Sequence, residues 1–211
     1  RHDLVGPRPH VVLETVDGPR LSTLVRRYGP LQDAQYLPLA IDLASAAHYL
    51  RRVGYVHLDI KPSNIIMGAP AKLIDLSVMR PVADAAALDS PVGTDAWMAP
   101  EQADPGNRGV PGHASDVWGL GASLHFALTG DEPFGEGDPD APDVAGQFPQ
   151  LVLPRPDLPE QTPPPVAEVV RAALSPDPAD RPQPAEIVEA LEPVLASQPL
   201  GELTGRIRTA L

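Results

Sequence analysis

At 211 residues the chain is long enough for one well-cored domain, and a net charge of -12, from 16 Lys and Arg against 28 Asp and Glu, opposes docking on a nucleic-acid backbone. The absence of cysteine excludes a disulfide framework, a thiolate nucleophile and a Cys-based zinc site, and fits a cytoplasmic protein. No apolar run approaches the roughly 20 residues needed to span a bilayer, and Arg1-His2-Asp3 does not open a signal peptide.

In chain order, His10-Val11-Val12-Leu13 is a short β-rich run that breaks at Asp17-Gly18-Pro19, a strand leading into a connector. From Leu31 to Arg52, apolar residues at Leu37, Ala40, Ile41, Ala44, Ala47 and Leu50 recur every three or four positions, which predicts an amphipathic helix stopped by Gly54. Asn64-Ile65-Ile66-Met67 and Ala71-Lys72-Leu73-Ile74-Asp75 flank Gly68-Ala69-Pro70 and predict a β-hairpin. Residues 76–99 show no strong period and read as a long exposed loop. Ser115-Asp116 is expected to cap a buried helix from Val117 to Leu128 that ends at Gly130. Many of the 28 prolines gather between residues 133 and 184, so 131–164 is expected to be mostly loop, with helices following at about 165–174 and 184–195. The end of the chain, Leu200 to Leu211, has the pattern of one more short amphipathic helix.

The chemistry concentrates in His57-Leu58-Asp59-Ile60-Lys61-Pro62-Ser63-Asn64 and in Asp75, eleven residues beyond Asn64 at the end of a strand. Two carboxylates, an amide and a lysine at one end of a hairpin suit a divalent cation carrying a polyphosphate, because Mg²⁺ takes oxygen ligands from one or two carboxylates plus substrate phosphates. The lysine would offset charge that develops in the transition state. A carboxylate outside the metal's shell is free to accept a hydroxyl proton.

The loop resembles the catalytic loop of protein kinases, H-R-D-L-K-P-x-N, and four further segments are similar to that family's motifs in the same order. Ile74-Asp75-Leu76-Ser77 resembles the D-F-G element, Gly93-Thr94-Asp95-Ala96-Trp97-Met98-Ala99-Pro100-Glu101 the segment ending in A-P-E, Ser115 to Gly121 the central buried helix, and Pro178-Ala179-Asp180-Arg181-Pro182 the late Arg motif. The pattern is most like the bacterial serine/threonine branch. It implies a mainly α (α+β) fold, the large helical lobe with short β-hairpins, divided into 1–18 (a remnant of the small-lobe sheet and hinge), 19–195 (the helical lobe) and 196–211 (a tail). It further implies Asp59 as catalytic base, Lys61 as charge stabiliser, Thr94 orienting both, and Asn64 and Asp75 as Mg²⁺ ligands. ATP would lie with its adenine on the backbone of Glu14 and Val16, Leu13 behind it and Ile66 on the floor. Glu101 paired with Arg181, and Asp116 bound to catalytic-loop backbone, would be structural, as would His57.

Departures accompany the matches. Leu58 replaces the Arg that contacts a phosphorylated loop, and Ser77 replaces the Gly of D-F-G. No G-x-G-x-x-G occurs and no V-A-I-K-type strand precedes the hinge, so the expectation is a kinase whose small lobe is largely absent, supplied by a longer parent or a partner domain. The implied activity is Mg-ATP-dependent phosphoryl transfer to protein Ser or Thr hydroxyls. The alternatives are a non-catalytic pseudokinase or interaction module, and a small-molecule phosphotransferase, which Lys61 and the Thr94-to-Glu101 segment disfavour. Asp131, Glu132, Glu136, Asp138 and Asp140 are most simply a solvated acidic loop, with docking of a basic substrate as the sharper option.

Overall fold

A helix with apolar residues on every side must be enclosed on every side, and the segment from His113 to Thr129 is the axis around which the rest is built. In the computed structural model, which describes residues 13–198 together with the backbone of 2–3 and 10–11, fourteen of its 17 residues are buried. The elements before it are β1 (His2–Asp3), β2 (His10–Val11), α1 (Leu21–Tyr28), α2 (Asp33–Val53), β3 (Tyr55–Val56), β4 (Ile65–Ile66), β5 (Lys72–Leu73), β6 (Arg80–Pro81), α3 (Val82–Ala86) and α4 (Pro100–Ala103). The axial helix is α5, followed by α6 (Val144–Gln147), α7 (Pro164–Ala173) and α8 (Pro184–Ala196).

Helix α2 follows the three-four period read from the sequence. Tyr36, Leu37, Leu39, Ala40, Leu43, Ala44 and Ala47 are buried, and Gly54 ends the helix in the left-handed conformation (φ 76°) with its N–H on the Leu50 and Arg51 carbonyls. Its inner face packs on α5 and α8, and α7 packs on both of these helices. Leu37, Leu43, Trp118, Leu124, Ile187 and Leu191 are at most 2 % exposed at this junction. Bare backbone at two α5 glycines permits the approach. A Cβ on Gly121 would lie 2.7 Å from the Ala173 Cβ of α7, and one on Gly119 would lie 2.7 Å from the Ile60 carbonyl oxygen.

The strands pair antiparallel in two-residue ladders: β1 with β2, β3 with β6, and β4 with β5 in the register Ile65↔Leu73 and Ile66↔Lys72. The last is the expected hairpin. The sequence reading missed α1, whose eight residues span little more than two turns, though Leu21, Leu24 and Val25 form its buried face.

Two expectations need correction. Residues 76–99 are not one exposed loop, because β6 and α3 lie within them and Ala85 is wholly buried against Val56 and Leu58. Val78, Val82, Ala85, Leu88 and Val92 complete this small second core, with a three-to-four spacing that the intervening alanines, Met79 and prolines disguise. Nor is Ser115-Asp116 the N-cap of α5. The helix starts at His113 after Gly112; Ser115 Oγ accepts from the Gly112 N–H at 3.0 Å and so braces the helix start from within its first turn, while the Asp116 side chain turns to the backbone of His57 and Leu58. In the 131–164 stretch the structure adds α6 and a 3-10 turn at Pro149–Leu151.

Glu101 of α4 and Arg181, before α8, form a buried bidentate pair with contacts of 2.7 and 2.8 Å, and the Ser115 hydroxyl donates to Glu101 at 2.7 Å. Trp118 stacks on Phe134 and lies under the Arg181 guanidinium, so this tryptophan is a packing residue. Among the described residues no helix is long and apolar enough to cross a membrane. The helix expected at Leu200 to Leu211 lies outside the described residues.

Candidate active site

The loop from His57 to Asn64 hangs on the start of α5. Asp116 accepts from the backbone N–H groups of His57 and Leu58, each at 2.8 Å, and these bonds hold the two peptides at the loop's entry. Burial pushes the Asp116 carboxyl up to about 6, and the two N–H donors pull in the opposite direction. Leu58 takes a left-handed φ of 64°, so the chain reverses direction just before Asp59. Instead of a charged tip at this position, an apolar side chain 2 % exposed packs into the small core with Ala85.

His57 is fully buried and tautomerically fixed. Nδ1 accepts from the Asp59 N–H and Nε2 donates to the Ile74 carbonyl, both at 3.3 Å, so the ring bridges the loop to the segment after β5 that carries Asp75. Desolvation lowers its pKa, which favours this neutral form.

Around Asp59 the expected side chains converge. Thr94 Oγ1 donates to Asp59 Oδ1 at 2.7 Å and accepts from Lys61 Nζ at 2.5 Å, while Lys61 Nζ lies 2.8 Å from Asp59 Oδ2. The Asn64 amide nitrogen donates to Asp59 Oδ2 at 2.9 Å and to the Asp59 carbonyl at 3.0 Å. Both carboxylate oxygens are therefore oriented, one by a hydroxyl and the other by an ammonium and an amide. The Ile74 N–H bonds the Asn64 carbonyl at 2.8 Å, which sets Asp75 one residue beyond a direct tie to the loop. Asp75 is exposed with φ 66°, and its pKa is held low by hydrogen bonds from Ser77, with smaller contributions from Lys61 and His57.

The segment expected to face a nucleotide runs along the hairpin. Lys72 pairs with Glu14 at 2.6 Å, Met67 N–H bonds the Pro19 carbonyl at 2.8 Å, and Ile66, at 7 % exposure, lies between. Gly18 is required there, because a Cβ would come within 2.4 Å of the Met67 oxygen. Leu13 is 64 % exposed and Val16 half-buried. Sequence reasoning missed three residues that hold these loops: Arg20, whose guanidinium donates to the Ser63 carbonyl, and the buried Gln102 and Gln150. Single amides leave no periodic trace. The only available signal was the position of Gln102 directly after Pro100-Glu101.

Comparison with known proteins agrees with this geometry. A family described as "Protein kinase domain" matches residues 7–191. The chain is 36 % identical over 185 residues to serine/threonine-protein kinase PknK of Mycobacterium tuberculosis, covering 85 % of this chain and 16 % of that protein. It is 35 % identical over 192 residues to the probable serine/threonine-protein kinase PkwA of Thermomonospora curvata, covering 90 % and 25 %. To serine/threonine-protein kinase PknB of Mycobacterium leprae it is 36 % identical over 135 residues, covering 61 % and 21 %. The matched stretches are thus a quarter or less of these relatives' lengths. With the loop, Asp75 just beyond β5, the Thr94 segment and the Glu101–Arg181 pair all in place around a helical lobe, the chain belongs to the protein kinase family, in its bacterial serine/threonine branch.

Proposed function

We propose that the site transfers the terminal phosphoryl group of ATP to a Ser or Thr hydroxyl of a protein. The observation that carries this reading is the closed set of hydrogen bonds joining Asp59, Lys61, Asn64 and Thr94. Asp59 takes the hydroxyl proton as the acceptor oxygen forms its bond to phosphorus and the bond to the ADP oxygen breaks. Thr94 and Asn64 keep the carboxylate from rotating, and the Lys61 ammonium offsets negative charge on the phosphoryl group.

The donor set fits a magnesium ion. Asn64 commits its nitrogen to Asp59, which leaves Oδ1 as the atom turned to a cation, and Asp75 is exposed with its carboxyl held ionised. One carboxylate and one amide oxygen, completed by phosphate oxygens and water, match the usual magnesium environment. When bound, the ion would neutralise the phosphates and orient the terminal one. Glu14 and Val16 would offer backbone groups to adenine, with Leu13 and Ile66 as apolar neighbours.

The test is transfer from labelled Mg-ATP to a Ser/Thr-containing protein acceptor by the full natural protein. Asp59→Asn, which preserves size, is expected to lower turnover by about 10²–10⁴-fold, the range for loss of a general base. Turnover like that of the unmodified protein would reject the role of Asp59. Asp75→Ala is expected to lose magnesium-dependent nucleotide binding in calorimetry, and unchanged magnesium dependence would reject it as a ligand.

A further inference from the structure

Thr94 lies in an irregular segment, so something must hold that segment's backbone if its hydroxyl is to stay 2.7 Å from Asp59. Two buried amides provide the tie. Gln102, 2 % exposed, accepts from the Ala99 N–H at 3.2 Å, and its Nε2 donates to the Leu58 carbonyl at 2.8 Å and the Val92 carbonyl at 2.7 Å. One nitrogen thus joins the residue before Asp59 to a residue two before Thr94. Gly93 between them leaves room for it: a Cβ there would lie 3.0 Å from that nitrogen and 2.9 Å from the Leu58 oxygen. Gln150, 3 % exposed on the 3-10 turn after α6, donates from Nε2 to the Asp95 carbonyl at 2.8 Å and the Met98 carbonyl at 3.1 Å. Its Oε1 is buried without a hydrogen-bond partner among the described residues, a cost accepted at this position while both N–H bonds are made. Phe148 and Leu151 flank Gln150 and pack against Met98 and Ala103, so the turn is seated as well as bonded.

We infer that Gln102 and Gln150 are positioning residues, two amide staples that grip the 92–98 segment on either side of Thr94 and thereby set Thr94 on Asp59. The grip is neutral and built into the fold. It uses no charged partner, in a protein whose Leu58 provides none.

This inference rests on the reading of Asp59 as base, and the experiment separates the two. In the full natural protein, Gln102→Glu and Gln150→Glu replace each donor nitrogen by an oxygen facing two carbonyls. Amide exchange at Trp97 and Met98, whose N–H groups bond the Thr94 carbonyl, is expected to speed up at least about tenfold while α5 keeps its protection. kcat is expected to fall at least tenfold with KM for ATP within twofold, a split that a merely structural role would not produce. Should either Glu variant lose α5 protection, Gln102→Met and Gln150→Met, similar in size and uncharged, are read by the same criteria. Exchange or kcat within twofold of the unmodified protein overturns the staples. An active Asp59→Asn variant instead overturns the base and leaves the exchange result to decide the staples.

Discussion

Asp116 and His125 are both buried and titratable, and they respond to pH in opposite directions. Removing one acceptor oxygen in Asp116→Asn leaves a loop N–H facing an amide nitrogen, and a buried unsatisfied donor costs about 1–3 kcal/mol. Urea unfolding is expected to show a loss of that size, and an unchanged midpoint would mean the loop is held elsewhere. Because the folded carboxyl titrates at about 6 against 3.8 unfolded, the native state keeps a proton that the unfolded chain has released, so this group's contribution falls as pH rises through that window and is constant above it. His125 has the opposite sign. Its ring lies 3.2 Å from the carbonyls of Asp131 and Asp157, and burial lowers its pKa below 6.5, so the unfolded chain takes up the proton first and stability is lost as pH falls below 6.5. Between pH 7.5 and 6 the unfolding free energy is expected to drop by at most about 1.4 kcal/mol per pH unit on this account. His125→Gln should flatten that slope, and an unaltered slope would assign it to other groups. At this scale Asp59, Lys61, Asn64 and Thr94 were legible because linear motifs record them. Gln102, Gln150 and Arg20 were not, because each works through backbone atoms distant in sequence, which any residue could supply.

Among the elements, α4 and the approach to α8 are joined by the Glu101–Arg181 pair across 80 positions of sequence. Breaking a buried ion pair from one side strands the other charge, so Glu101→Gln is expected to cost about 3–5 kcal/mol, measured by denaturant unfolding. A loss under 1 kcal/mol would mean that water reaches Arg181 in the variant. Helices α2, α5, α7 and α8 were readable because each has two turns or more of consistent apolar spacing or continuous burial. Helix α3, at five residues, falls below that length and α1, at eight, scarcely exceeds it, and the apolar face of α3 becomes visible only once Leu58 is known to sit opposite it. Asp116 misled for a different reason: a residue type that favours N-caps was recruited here for a tertiary contact with the backbone of His57 and Leu58, at a position already inside the helix.

For the molecule as a whole, the decisive economy lies along α5, where Gly119 and Gly121 let the His57–Asn64 loop and α7 lie against bare backbone. Gly to Ala in a helix would by itself gain about 1 kcal/mol. Here Gly121→Ala is expected to destabilise instead, because the neighbouring contact is Ala173 in a packed helix, and Ala173→Gly is expected to restore most of the loss in the double variant. Gly119→Ala pushes on the Ile60 carbonyl next to Asp59, so turnover should fall more steeply than stability, and a parallel loss of both would place its effect in general packing. The helical lobe itself was legible from motif order, since five motifs of one family in sequence leave little freedom in topology.

The seating of α8 on α2 also dictates how the chain must come into being. Helix α2 ends at Val53 and α8 begins at Pro184, so about 130 residues must be translated after the first before its partner exists, some 7–26 s at 5–20 residues per second. Through that interval the part of α2 that meets α8 has no native cover, while α5, complete at Thr129, is already available to cover the rest of the inner face.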